Sequence, residues 1–219
     1  MTATRAVVFD MDGVLVLSGP AHWRAWRDTA AAHGRPMTHA DFLLCNGLVN
    51  ADICRLLFGD ARATPAFVER IATIKEQAYR AAIADAVPLA PGCRELLATL
   101  RQARIAAAVG TSGPQENVDL GLDGGGIRPF FGGVVHAGLV RRGKPAPDIF
   151  LLAAEQLGVQ PAQCVVVEDA PSGIRAAQAA GMRVIAVCTN HDAGELRELG
   201  ADVVLPDLAA ITLQHVLSR

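Results

Sequence analysis

The chain has 219 residues, 51% of them apolar and 5% aromatic, with a formal net charge of −2. That length and apolar content suit one large domain or two smaller ones around a sizeable core, and they exclude a disordered chain. The near-neutral charge gives no electrostatic case for nucleic acid or an anionic membrane, and no apolar run is long enough to span a bilayer, so neither is expected as a partner.

Five cysteines, at 45, 54, 93, 164 and 188, are odd in number and form no C-x-x-C pair. They read as reduced thiols of a cytoplasmic protein, mostly in the core, with Cys93 in the loop-like APGC the most exposed.

The opening MTATRAVVFD reads as the start of a strand and not as a signal peptide, because its apolar stretch is short and meets acid. Residues 6–9 (AVVF) are apolar and rich in β-branched side chains, as in a buried strand. Similar runs follow at 105–109, 134–135, 165–167 and 184–187, and a last one at 203–205 precedes a proline. Helical patterns separate them. Residues 94–100 follow a Pro-Gly turn. Residues 148–157 place Ile149, Leu152, Ala153 and Leu157 on one face before Gly158, and residues 172–180 follow Pro171 and end at Gly181. Strand and helix in alternation predict an α/β fold, a Rossmann-like doubly wound parallel sheet with helices on both faces.

Residues 18–87 break this rhythm with helical patterns and no convincing strand. Trp23, Trp26 and Ala30 lie at i, i+3 and i+7. Residues 52–58 form a short amphipathic piece, and 65–86 a long one with Phe67, Ile71, Ile74 and Ala78 on one stripe. An all-helical insert is therefore predicted over 18–87, bounded by Ser18-Gly19-Pro20 and Val87-Pro88 as hinges, with residues 1–17 and 88–219 making the α/β core. The glycine run 124–126 reads as flexible, without phosphate-cradling spacing.

Open parallel sheets bind ligands beyond the carboxyl ends of their strands. Asp10 and Asp12 stand at the first such end, Thr111 and Ser112 at the second, Lys144 in GKPAPD after the third, and Glu168 and Asp169 after the fourth. Carboxylates converging in one crevice repel unless a cation sits among them, and oxygen ligands without His or Cys favour Mg²⁺. A hydroxyl and a lysine at the same rim suit a phosphate group, so the set fits phosphoryl transfer to a carboxylate.

FDMDGVL, the Thr111-Ser112 pair, GKPAPDIF and VVVEDAPSGIRAAQAAGM together resemble, in order and spacing, the four motifs of the haloacid dehalogenase superfamily. The insert after the first motif is similar to the small cap of the branch holding phosphoglycolate-type phosphatases and β-phosphoglucomutases. The resemblance implies that Asp10 is the nucleophile and a metal ligand. It implies that Asp12 is the general acid/base, with its backbone carbonyl on the metal. Thr111 and Lys144 would hold the phosphoryl group, and Asp169, helped by Glu168, would complete the Mg²⁺ site.

His22, in HWRAW, matches a histidine of the mutase-like branch and is placed over Asp12. Ser112 and Asn50 are further substrate-binding candidates. The remaining histidines have no partners in the sequence and read as solvated or structural. Arg141 and Arg142 read as a solvated pair that could touch substrate anions. The chain departs from that branch at Leu17, where many relatives have Asp, and at Gly113. It departs again at Asn50, where an Arg is expected, and in QAYRAA, which offers Arg80 but no Lys.

The expected activity is that of a Mg²⁺-dependent phosphatase hydrolysing a small phosphorylated metabolite, such as a sugar phosphate, through an aspartyl-phosphate. The protein would act as a monomer or weak homodimer. The alternative enzyme is a β-phosphoglucomutase-like phosphomutase. The non-enzymatic alternative is a receiver-like phosphorylatable module, but there the phosphorylated Asp ends a later strand and no seventy-residue cap intervenes.

Overall fold

The computed structural model describes residues 4–218. In chain order the elements are β1 (Ala6–Phe9), α1 (Gly19–Ala32), α2 (His39–Cys45), α3 (Asn50–Phe58), α4 (Pro65–Ile83), α5 (Cys93–Gln102), β2 (Ala106–Gly110), α6 (Gln115–Asp119), β3 (Gly133–Val135), α7 (Asp148–Gln156), β4 (Cys164–Glu168), α8 (Pro171–Ala179), β5 (Arg183–Val187), α9 (Ala193–Glu198), β6 (Val203–Leu205) and α10 (Leu213–Leu217). A π-helical turn, Leu120–Gly124, continues α6. The glycines that follow it are held, with Arg94 donating to the Gly125 and Gly126 carbonyls.

All six strands are parallel, in the order β3-β2-β1-β4-β5-β6. Side chains alternate between the two faces of the sheet. Val7, Phe9, Val109 and Val167 pack into one core with Leu97 and Leu100 of α5. Ala6, Val8, Ala108 and Val166 pack into the other with Phe150 of α7 and Ile174 of α8. Burial on both faces is why these strands read as continuous apolar runs. Phe9 pairs in register with Val109 and Val167, so the carboxyl ends of β1, β2 and β4 are level and the polar residues after them emerge at one edge.

Helices α1 to α4 have a core of their own that includes Trp26, Ala30, Phe42, Ile53 and Ile71. The chain enters and leaves this helical segment along two short extended stretches joined by an isolated antiparallel bridge, Val16–Leu89. Leu17 N–H donates to the Pro88 carbonyl at 2.8 Å, and Ala90 N–H to that of Leu15 at 2.9 Å.

Three local readings are corrected. Helix α2 was not expected; Thr38 and Asp41 form a reciprocal capping box that starts it. On α4 the buried face runs through Phe67, Ile71, Lys75, Tyr79 and Ile83, while Ile74 is 41% exposed and Ala78 is exposed too. The predicted stripe is right at Phe67 and Ile71 and wrong at Ile74 and Ala78, because two polar-ended residues, Lys75 and Tyr79, take the inward positions in the second half of the helix. Cys93 is buried at the start of α5, and Cys188, just past β5, is the most exposed thiol.

Candidate active site

Asp10 follows β1 and is nearly buried. Lys144 Nζ, completely buried, donates to Asp10 Oδ1 and to Glu168 Oε1, each at 2.6 Å. Glu168 ends β4, and its other oxygen accepts the N–H groups of Asp169 (2.8 Å) and Ala170 (2.9 Å). Asp169 Oδ2 accepts from Asn190 Nδ2 at 2.5 Å and Thr189 Oγ1 at 3.3 Å, both just past β5. One oxygen from each of Asp10, Glu168 and Asp169 lies within 4.8 Å of the others.

Three buried carboxylates thus face one ammonium. Burial, outweighing the Lys144 charge, pushes Asp10 up to about 7, with the charges of Glu168 and Asp12 adding to the rise. Burial and the same neighbouring charges raise Asp169 well above the carboxylate range. Burial alone would lower Lys144, but Asp10 and Glu168 hold it above the ordinary lysine value. An all-oxygen cluster with excess negative charge fits a hard divalent cation. Two glycines make room for it. A Cβ at Gly173 would come 1.7 Å from Glu168 Oε1, and one at Gly13, where φ is +86°, 2.2 Å from Asp169 Oδ2.

Asp12 turns away from this cluster, toward the helical insert. Its Oδ1 accepts from Ser18 Oγ at 2.7 Å and Tyr79 Oη at 3.1 Å, and lies 3.1 Å from His22 Nε2. Ser18 stands at the N-cap of α1 yet gives its hydroxyl to Asp12 instead of the helix. His22 stacks on Tyr79, ring centroids 3.8 Å apart, and its Nδ1 is 2.8 Å from Lys75 Nζ. With the ammonium donating to Nδ1, Nε2 carries the hydrogen that points at Asp12. Burial would raise Asp12, but the positive charge of the Lys75–His22 pair and the His22 and Ser18 hydrogen bonds overcome it and hold the carboxyl at about 2.

One pocket joins most of these groups, while Lys144 and Glu168 are fully buried and do not line it. It encloses about 640 Å³, part of it open to solvent, and its walls include Asp10, Asp12, His22, Asn50, Thr111, Ser112 and Asp169 from the sequence-derived set. Buried Thr111 accepts the Gly113 N–H at 3.1 Å. Ser112 Oγ donates to the Gly47 carbonyl at 2.7 Å, so its hydroxyl is committed to the loop between α2 and α3; Ser172 Oγ likewise donates to the Asn46 carbonyl at 2.9 Å. Asn50 begins α3 and donates to Glu76 Oε1 at 2.9 Å.

One feature departs from the sequence reading. The insert does supply a lysine to the pocket, Lys75, two residues before QAYRAA. Arg80 is turned to Asn117 Oδ1 at 3.0 Å and does not line the pocket. Arg142, read as solvated, is exposed and pairs with Asp148. His191, read as solvated or structural, is structural: it is buried between Glu195 (2.9 Å) and Asn46 (3.5 Å). Ser18, Lys75, Glu76, Tyr79, Thr189 and Asn190 all belong to the site and were not singled out for it. Only Thr189-Asn190 had a readable signal, a polar pair at a further strand end.

The family model for haloacid dehalogenase-like hydrolases matches residues 4–181. The chain belongs to this family. It is 36% identical to the fructose-1-phosphate phosphatase YqaB of Escherichia coli (strain K12), over 83% of this chain and 95% of that protein. It is 35% identical to the Suppressor of quenching 1 protein, chloroplastic, of Arabidopsis thaliana; the match covers 97% of this chain and only 20% of that relative's length. The crystal structure of β-phosphoglucomutase from Clostridium difficile superposes with a TM-score of 0.86 at 24% identity, covering 97% of this chain and 95% of that one, which shows the common fold. Related proteins thus bear the names of both phosphatases and phosphomutases. Among the described residues, no helix is long and apolar enough to cross a membrane.

Proposed function

We propose that this haloacid dehalogenase-like hydrolase is a Mg²⁺-dependent phosphatase acting on a small phosphorylated carbohydrate. The observation behind this reading is the division of labour between Asp10 and Asp12. Asp10 lies among buried carboxylates and Lys144, whereas Asp12 is held as a carboxylate by Ser18, Tyr79 and His22 on the side where a leaving group would sit.

In the first step Asp10 attacks phosphorus, and the bond from phosphorus to the leaving oxygen breaks. That oxygen takes a proton from Asp12, which the line from Lys75 through His22 Nε2–H is placed to supply before the attack. The negative charge of an arriving phosphate favours protonation of Asp12. In the second step Asp12, again a carboxylate, removes a proton from water, and the oxygen attacks phosphorus as the Asp10–phosphorus bond breaks. Thr111 and Lys144 hold phosphoryl oxygens. Asp10, Asp169 and the Asp12 backbone carbonyl would ligate Mg²⁺, with Glu168, whose oxygens serve Lys144 and two backbone N–H groups, positioning them. When bound, the ion supplies charge neutralisation for the carboxylates and the phosphoryl group.

Residues 18–87 act in this reading as a cap over the core formed by 1–17 and 88–219, excluding water while the leaving group is in place. The five unpaired cysteines, four of them buried, suit the reducing cytoplasm. The phosphomutase reading is favoured by one observation, the cation Lys75 in the pocket, but Glu76 lies against it at 2.9 Å.

The test is phosphate release from a panel of sugar and polyol monophosphates. Release that EDTA abolishes and Mg²⁺ restores, with Ca²⁺ a poor substitute, is expected. Isomerisation of β-glucose 1-phosphate outrunning phosphate release would overturn the assignment in favour of a mutase.

A further inference from the structure

Glu76 is a buried acid on the leaving-group side of the pocket, only 5% exposed. Both of its oxygens are engaged. Oε1 accepts from Asn50 Nδ2 and from Lys75 Nζ, each at 2.9 Å, and Oε2 accepts from Asn117 Nδ2 at 2.8 Å. The side chain is therefore fixed, and it offsets the Lys75 charge at close range. Burial alone would raise its pKa, but Lys75, His22 and the two amides together lower it.

Around this pair the cap wall is apolar, with Trp26, Phe42 and Ile53 lining it. Among the described residues no arginine lines the pocket. The phosphoryl end is thus supplied with Lys144 and a cation-ready cluster, while the far end has no positive charge left over. A second phosphate or a carboxylate on the leaving group would find the Lys75 charge already neutralised by Glu76 and no other lysine or arginine among the described lining residues to receive it. Hydroxyls would meet acceptors: the Asn50 Nδ2 group is directed at Glu76, which leaves its amide oxygen as an acceptor for the pocket. The C–H face of a sugar or polyol fits the Trp26–Phe42 wall.

We infer that Glu76 is a specificity residue that restricts this pocket to phosphate monoesters with an uncharged, hydroxyl-rich leaving group, and that it rejects leaving groups bearing a second anion. The inference rests on the phosphatase reading and goes further by naming the substrate class and the residue that selects it.

The test compares matched substrates that differ by one anionic group, a ketohexose 1-phosphate and the corresponding 1,6-bisphosphate, by initial rates of phosphate release with Mg²⁺ at pH 7.5. In the wild-type enzyme the second phosphate should lower kcat/KM at least about twentyfold, mostly through KM. Glu76→Gln should narrow that ratio at least about tenfold, and Glu76→Asp, which keeps the charge, should preserve it. If Glu76→Gln does not fold by circular dichroism, Asn50→Lys adds a cation beside Glu76 at the first turn of α3 and should narrow the ratio by a similar factor.

A wild-type enzyme that handles both substrates within about threefold would overturn the inference while leaving the phosphatase reading intact. So would a folded Glu76→Gln enzyme, or an Asn50→Lys enzyme, whose ratio is unchanged. Absence of phosphate release from every monophosphate would instead refute the phosphatase reading itself.

Discussion

Lys144 and Glu168 form an ion pair at 2.6 Å in which neither side chain has any solvent exposure. A pair so deep is costly to break from one side. Removing one partner of a buried pair costs about 3–5 kcal/mol, because the other charge is stranded. Lys144→Met should therefore lower unfolding stability by roughly that amount in metal-free buffer, and added Mg²⁺ should recover part of it by replacing the lost positive charge. Urea unfolding with and without the ion checks this; equal loss in both conditions would contradict it.

Asp10→Asn removes the proposed nucleophile and one of three crowded acids. Phosphate release should fall at least roughly a thousandfold, comparable to loss of a triad nucleophile, while the fold persists.

The same residue predicts a pH effect. Asp10 is raised from 3.8 to about 7, so its protonated form favours the metal-free fold. Its contribution is full below about pH 3.8 and is lost as pH rises through about 7. The thermal midpoint of the metal-free parent, measured relative to that of Asp10→Asn, should accordingly fall between pH 5 and pH 8. A difference that rises over that range would sink the argument.

His22→Asn should lower kcat more than it changes KM, by about tenfold or more, because it disturbs proton movement at Asp12. The acid limb of the rate profile should also move to higher pH, since His22 helps to hold Asp12 at about 2. An unmoved limb would make His22 a packing residue.

Gly173→Ala carries opposite expectations at two levels. In an ordinary helix interior the change stabilises by about 0.5–1 kcal/mol. Here the new Cβ would lie 1.7 Å from Glu168 Oε1. Lower stability and loss of phosphate release are expected; a stabilised, active variant would show that Glu168 can move.

The sheet was legible because its strands are buried on both faces. AVVF at 6–9 and the run ending at Val167 stand out as apolar blocks, and register then brings Asp10, Thr111 and Glu168 to one edge. The cap side was much less legible. On α4 the positions 67, 71, 75, 79 and 83 share a face, but Lys75 and Tyr79 are there for their polar ends, so hydrophobic periodicity selected Ile74 and Ala78 instead. Ser18 looked like a hinge residue, and only the fold shows its hydroxyl reaching Asp12. Glu76 gave no signal, because a charged residue on a helix reads as solvated until tertiary packing buries it.

The paired connections at Leu15–Ala90 and Leu17–Pro88 also bear on how the chain reaches this structure. Pairing Ala6 with Ala106 closes a span of 100 residues. Once the helical segment has packed and its two ends have met, the span left to close shrinks to about 30 residues, easing loop closure by about 1 kcal/mol. A helical segment that packs on its own core thus draws the first two neighbouring strands of the sheet within reach of each other and lowers the effective contact order of that pairing.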